Sequence, residues 1–185
     1  MSEYFRKWRR HSKRASTWQR HAGQLEHPDR RWLYEHVAEP VLDVACGSAV
    51  DAGGFEDYVG LDVTAPFLEA ARFTYGVDNL VLGDGRSLPF RDGCFATAYA
   101  KDLLLHLEWG DALKVLGELV RVGRRSYVAW GVERDGSVYT PLPDRDVLKM
   151  RSGFWYNRFS RQRLNTYFSI GEVVEDTTIT EVNGK

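Results

Sequence analysis

Short apolar runs alternating with amphipathic stretches predict an α/β fold, a mostly parallel sheet with helices on both faces. Three observations carry that expectation. The runs at 41–45, 58–63 and 80–83 are short, apolar and bounded by turn residues, as buried strands are. Each carries an acid at or near its carboxyl end, namely Asp43, Asp62 and Asp84. The segments between them have helical spacing and short loops, so right-handed crossovers join parallel strands.

Composition fits one domain over residues 1–185. With 43% apolar and 13% aromatic residues, the chain can bury a globular core. No apolar run is long enough to span a bilayer, and no membrane partner is expected. The basic N-terminus lacks the apolar segment of a secretory signal. Cys46 and Cys94 have no metal spacing and read as small buried residues of a reducing compartment, which points to the cytoplasm. Charge is uneven. Residues 1–31 hold nine Lys/Arg against three acids, about +6, and the remainder holds 16 against 23, about −7. Such a basic arm suits an anionic partner, or a helix lying on the acidic body.

In order, residues 2–21 are predicted to form a helix with Tyr4, Phe5, Trp8, Ser12 and Ala15 on one face. Asp29 caps a short helix over 30–38 that partly buries Trp32, Leu33, Tyr34 or Val37. Strand one, 41–45, ends in Gly47, Ser48 and Ala49, small residues that let backbone approach a ligand. Residues 48–57 have room for only a turn or two of helix. After strand two, 58–63, Thr64 caps a helix with Pro66 in its first turn and Gly76 past its end. Phe67, Leu68, Ala71 and Tyr75 form its buried face. Strand three is 80–83. Strand four, 95–100, has alanines on one face for close helix packing. Residues 111–122 are helical, with Leu113, Leu116, Leu119 and Val120 inward and Gly123 as stop. Strand five is 126–132. Residues 133–159 are irregular, followed by a helix over 160–168 and one strand within 171–182.

Four stretches carry a resemblance: Leu42-Asp-Val-Ala-Cys-Gly47, Val59-Gly-Leu-Asp-Val63, Gly83-Asp-Gly-Arg-Ser-Leu-Pro-Phe90 and Ala98-Tyr-Ala-Lys-Asp-Leu-Leu-Leu-His-Leu107. The chain resembles the class I methyltransferases that use S-adenosyl-L-methionine (SAM), close to the small type 11 group. The resemblance implies a Rossmann-like sheet and a helical lid from residues 1–39, with Tyr4, Trp8, His11 and Trp18 as candidates to touch ligand. The family closes its sheet with two strands after the last helix, one antiparallel. With 17 residues left after Phe168, a truncated sheet of about six strands is expected.

SAM offers a carboxylate, an ammonium, a sulfonium, a ribose diol and an adenine. By resemblance, Asp62 accepts from the ribose hydroxyls and Asp84 from the adenine amino group, with Gly85 or Arg86 beside it. Asp43 orients the turn or reaches the ammonium through water. Ala45 and Gly47 form the turn, and Val63 and Leu88 flank the adenine. The family has glycine where this chain has Ala45 and Ala49. Lys101, Asp102 and His106 follow strand four, where the methyl group is presented, and are the catalytic candidates. Lys101 also belongs to the cofactor set. Each Asp, read singly, is also a cap or turn residue. Lys101 and Asp102 read equally as an ion pair, and His106 as a helix or loop histidine.

The favoured acceptor is a small molecule, held by Trp109, Met150, Phe154, Trp155 and Tyr156, which read equally as core. RNA or another large anion, gripped through residues 1–31, is the alternative. A non-catalytic SAM-binding interaction protein is the third reading. The Asn/Asp-Pro-Pro-aromatic signature of amino-directed DNA methyltransferases is absent after strand four. So is the Gly-x-Gly-x-x-Gly turn of nicotinamide dehydrogenases. No metal ligand set stands out, and nothing indicates an oligomeric state.

Overall fold

The computed structural model describes residues 28–129, 147–149, 155–157, 159–174 and 177–185. The predicted helix over 2–21, residues 1–27 of the basic arm and the lid candidates Tyr4, Trp8, His11 and Trp18 lie outside these residues, as do Met150 and Phe154.

Helix α1 (Pro28–His36) leads into β1 (Val41–Val44). A three-residue 3₁₀ turn, Ala52–Gly54, stands where the sequence leaves room for little helix. Then come β2 (Tyr58–Asp62), α2 (Ala65–Tyr75), β3 (Leu80–Leu82) and β4 (Phe95–Lys101). A 3₁₀ turn, Leu104–His106, precedes α3 (Trp109–Val122), which runs straight into β5 (Gly123–Ala129). The last elements are β6 (Val147–Lys149), β7 (Trp155–Asn157), α4 (Arg161–Leu164), β8 (Phe168–Val173) and β9 (Ile179–Gly184).

The main sheet has the order β3-β2-β1-β4-β5-β9-β8. The first five strands are parallel, and β9 lies antiparallel to both β5 and β8. Strands β6 and β7 form a separate antiparallel pair. The expected six-stranded, truncated sheet is therefore corrected to seven strands. The stretch expected to hold one strand holds a hairpin, β8 and β9, because the helix before it is shorter than expected. Ser160 caps α4 by accepting from the Arg163 N–H, and the Asn165 side chain accepts from the Ile170 N–H at 2.8 Å. That frees residues 168–173 for the sheet edge.

Strand faces alternate between two cores. Leu42, Val44, Leu61, Ala98, Ala100 and Val128 pack against Leu116 and Leu119 of α3 and Leu164 of α4. Ala98 and Ala100 are the small residues that let α3 approach β4. On the other face Val41, Tyr58, Tyr99, Tyr127 and Ile179 pack against Leu33 of α1 and Leu68 and Ala71 of α2. Helices thus cover both faces.

Two details differ from expectation. Asp29 lies inside the first turn of α1 and is fully buried. Its carboxylate accepts from the Thr178 N–H at 2.7 Å and the Thr178 hydroxyl at 2.6 Å, tying α1 to the turn before β9. Tyr75, expected on the buried face of α2, is exposed, because the helix ends there in the left-handed Gly76. Among the described residues no helix is long and apolar enough to cross a membrane.

Candidate functional site

Strand order reverses between β1 and β4: the chain builds outward to β3, then returns to the other side of β1. Ligands of such sheets sit beyond the carboxyl ends of the strands at that switch point. The turn after β1 lies there. Its Ala45 and Cys46 N–H groups both donate to Leu61 O, at 2.7 and 3.0 Å, which holds the turn against the tip of β2. The Gly47 N–H donates to Asp62 Oδ2 at 2.9 Å. Asp62 Oδ1 accepts from the Thr64 N–H at 2.8 Å. Asp62 is buried, and burial raises its carboxyl above the usual range although the N–H groups of Thr64 and Gly47 pull it down.

Three residues of this turn are left-handed: Ala45 at φ 66°, Gly47 at φ 56° and Ala49 at φ 53°. The alanines at the family's glycine positions thus adopt the backbone conformation that glycine serves best. Above Gly47 lies open space, where an added Cβ meets nothing within 4 Å.

A second cluster sits beside this turn, on the α1 side of the sheet. Asp43 Oδ2 accepts from the Tyr58 hydroxyl at 2.9 Å. Burial pushes the Asp43 carboxyl up to about 7, and the neighbouring charge of Asp51 adds to the rise. Asp43 is thus a buried partner of Tyr58. Asp51, missed by sequence reasoning, is 2% exposed. Its Oδ1 accepts from Arg30 Nε at 2.6 Å, and its Oδ2 pairs with Lys101 Nζ. Burial pushes Asp51 up, but Lys101 and Arg30 outweigh it and hold the carboxyl below its usual range. Burial pushes the Cys46 thiol up, which keeps it protonated.

At the end of β3, Asp84 grips Arg86. Oδ1 accepts from the Arg86 backbone N–H at 2.9 Å and from Nε at 3.0 Å, and Oδ2 accepts from Nη2 at 2.6 Å. Arg86 Nη1 reaches Asp111 Oδ2 in α3 at 2.9 Å. Burial opposes ionisation of Asp84, but Arg86 holds its carboxyl low. Gly85 packs on β1, since an added Cβ lies 2.9 Å from Val44 Cγ1. Val63 is half-buried, whereas Leu88 is buried among the α3-side core residues.

The catalytic candidates separate. Lys101 pairs with Asp51 in place of Asp102. Asp102 is exposed and left-handed at φ 57°, and its N–H donates to Ala129 O at 3.1 Å. His106 is buried in the 3₁₀ turn before α3. Of the proposed acceptor wall, Trp109 is half-buried, 5.6 Å from the Phe159 ring and 4.0 Å below the Arg163 guanidinium. The backbone of Trp155 and Tyr156 lies in β7.

The nucleoside end of SAM fits this arrangement. Asp62 lies beside the open space over Gly47, held by the Gly47 and Thr64 N–H groups. At the adenine end, a base amino group would share Asp84 with Arg86.

Residues 42–126, from β1 into β5, match the family described as Methyltransferase domain. An O-methyltransferase of Penicillium expansum is 32% identical over 122 residues, covering 60% of this chain and 42% of that protein. The chain thus spans less than half the length of this curated relative. Magnesium protoporphyrin IX methyltransferase from Synechocystis PCC 6803, solved with bound SAM, superposes with a TM-score of 0.64 at 16% identity, over 100% of this chain and 99% of that one. A protein from Pyrococcus horikoshii OT3 superposes with a TM-score of 0.62 at 22% identity, over 89% of this chain and 93% of that one. At these identities the structures share the fold. Together with the family match across the first five strands, that shared fold supports a likeness to the class I SAM-dependent methyltransferases.

Proposed function

We propose that this chain is a SAM-dependent methyltransferase acting on the hydroxyl of a small molecule. The observation that carries the reading is Asp62, buried at the tip of β2 and bonded to Gly47 beneath open space at the switch point. In this reading Asp62 accepts from the ribose diol, Asp84 from the adenine amino group beside Gly85 and Arg86, and Val63 lies on the ring. When bound, SAM supplies a methyl group on a sulfonium, which is already a good leaving group.

The chain's own work is then to hold the acceptor oxygen in line, and proximity supplies much of the acceleration. A hydroxyl acceptor also needs its proton removed. His106 is the base in this reading, with Asp102 orienting the acceptor at the exposed end of β4. The choice of oxygen follows the activity named for the Penicillium expansum relative. Cys46 is buried and Cys94, expected buried, is exposed; both thiols are free, in keeping with a cytoplasmic setting. Residues 1–185 are read as one domain, with 1–39 as lid.

Labelled-methyl transfer over a panel of phenols, hydroxy acids, amines and RNA tests the acceptor. Label in a hydroxyl compound, at a rate little changed by salt, is the expected result. Label in RNA, falling steeply with salt, would replace the small-molecule acceptor with a nucleic acid. Label in amines alone would remove the oxygen specificity.

A further inference from the structure

We propose that the sheet edge at β3, with α2 beside it, is a self-complementary surface on which a second copy of this chain docks edge to edge. The inference depends on neither the cofactor nor the acceptor.

The sheet has two edges, β3 and β8, and they are built differently. A bare edge strand offers its outward N–H and C=O groups to any other strand, and bulges and charges blunt such edges. The β8 edge is blunted. Its register with β9 shifts between Ile170 and Val173, and the Glu172 side chain there stands 89% exposed, 3.9 Å from Arg161. The β3 edge is not. Leu80, Val81 and Leu82 keep a regular parallel register with β2, carry no charge, and end in Leu82 at 60% exposure.

Hydrogen bonds show which groups of β3 face outward. Asn79 O accepts from the Gly60 N–H and the Gly83 N–H donates to Asp62 O, both at 2.9 Å, so residues 79 and 83 turn toward β2. Alternation along the strand turns Leu80 and Leu82 outward. Leu80 is partly engaged: its N–H donates to Asp78 O at 2.8 Å, and its O accepts from Arg72 Nη2 at a long 3.5 Å. Leu82 has no such outward guard among the described residues.

The Arg72 contact also shows which side of α2 lies toward the edge. Glu69, three residues earlier, and Phe73, four after Glu69, share that side of the helix. Phe73 is 95% exposed, and neither Glu69 nor Arg72 takes an ion pair among the described residues. An acid, a base and an apolar ring in one stripe suit an isologous contact. A two-fold axis sets α2 antiparallel to its copy, so that Glu69 of each chain meets Arg72 of the other. The same axis runs the two β3 strands antiparallel, joins the two sheets into one, and covers Leu82 and Phe73.

Sedimentation equilibrium over a range of concentrations tests this, with circular dichroism to confirm that each variant folds. The wild type should be a dimer, and Leu82→Lys a folded monomer. Arg72→Glu and Glu69→Arg should each weaken the dimer at least about tenfold, because like charges then face each other across the axis. The double variant Glu69→Arg/Arg72→Glu should return to within about threefold of wild type, a rescue that mere damage to α2 does not give. The charge variants test the idea even where Leu82→Lys does not fold. A wild type that stays monomeric at every concentration would overturn the proposal and leave the edge to an extended strand of another protein. A dimer indifferent to Leu82→Lys, or a double variant no better than the single ones, would overturn it by placing the contact elsewhere.

Discussion

Ala45 is a strained residue of the site. At φ 66° its Cβ crowds the next carbonyl, at a cost of about 1–2 kcal/mol. Glycine escapes that cost but returns roughly 0.5–1 kcal/mol through the freer unfolded chain. Ala45→Gly is therefore expected to stabilise the fold by about 0.5 kcal/mol in urea unfolding. Ala49 is left-handed too, but its methyl is 1% exposed and worth about 0.8 kcal/mol of burial. Ala49→Gly is expected to be neutral or destabilising, and an equal gain at both positions would contradict the strain argument. Asp43 gives a pH dependence of definite sign. Its folded-state carboxyl is raised to about 7, so the unfolded chain loses that proton first as pH rises. The stability it contributes is full below the unfolded value near 4 and is lost as pH climbs through about 7. Asp43→Asn keeps an acceptor for the Tyr58 hydroxyl without the charge. Its stability relative to wild type should rise between pH 5 and 7 and level off above, and a flat difference would show Asp43 ionised throughout. At this scale Asp62 was legible in the sequence, because an acid ending a buried strand is conspicuous. Asp51 was not, because its partners lie 21 and 50 residues away and only folding joins them.

The segment from Asp84 to Gly93 shows how one helix builds one side of the site. Asp111, Glu118 and Arg121 lie seven and three residues apart along α3, so they share a face. Asp111 holds Arg86, Glu118 accepts from the Leu88 N–H at 2.6 Å, and Arg121 donates to Leu88 O at 3.0 Å and Phe90 O at 2.8 Å. Arg121→Met removes two carbonyl contacts and the Asp92 and Glu118 pairs at a part-exposed position. A loss of about 1–2 kcal/mol is expected, with faster amide exchange over residues 84–93 and none in the turn after β1. Exchange unchanged in 84–93 would show that Asp84 is placed without α3. The sequence revealed the first five strands because parallel, doubly covered strands are continuous apolar runs. It showed the last two as one strand within 171–182. In β9 Ile179 and Val182 stand three residues apart and enter different cores, and in β8 Ile170 stands between Ser169 and Gly171, an edge pattern that is weak beside a helical reading of 160–168.

At the scale of the whole molecule, function follows from strand order, which no local pattern contains. The reversal between β1 and β4 gathers Gly47, Asp62, Asp51 and Lys101 at one edge from three strands and their turns. Composition and alternation predicted the α/β class and its covered faces, and the acids pointed to the edge. The resemblance named the cofactor. The central claim, that this edge binds SAM through Asp62, is tested most directly by calorimetric titration of SAM and S-adenosylhomocysteine into wild type and Asp62→Asn, with circular dichroism to confirm that the variant folds. Binding in the micromolar range to the wild type is expected, weakened at least about tenfold by the substitution, as loss of hydrogen bonds to a charged acceptor requires. Absence of heat and of thermal stabilisation with either ligand in the wild type, or undiminished affinity in a folded Asp62→Asn, would contradict the claim.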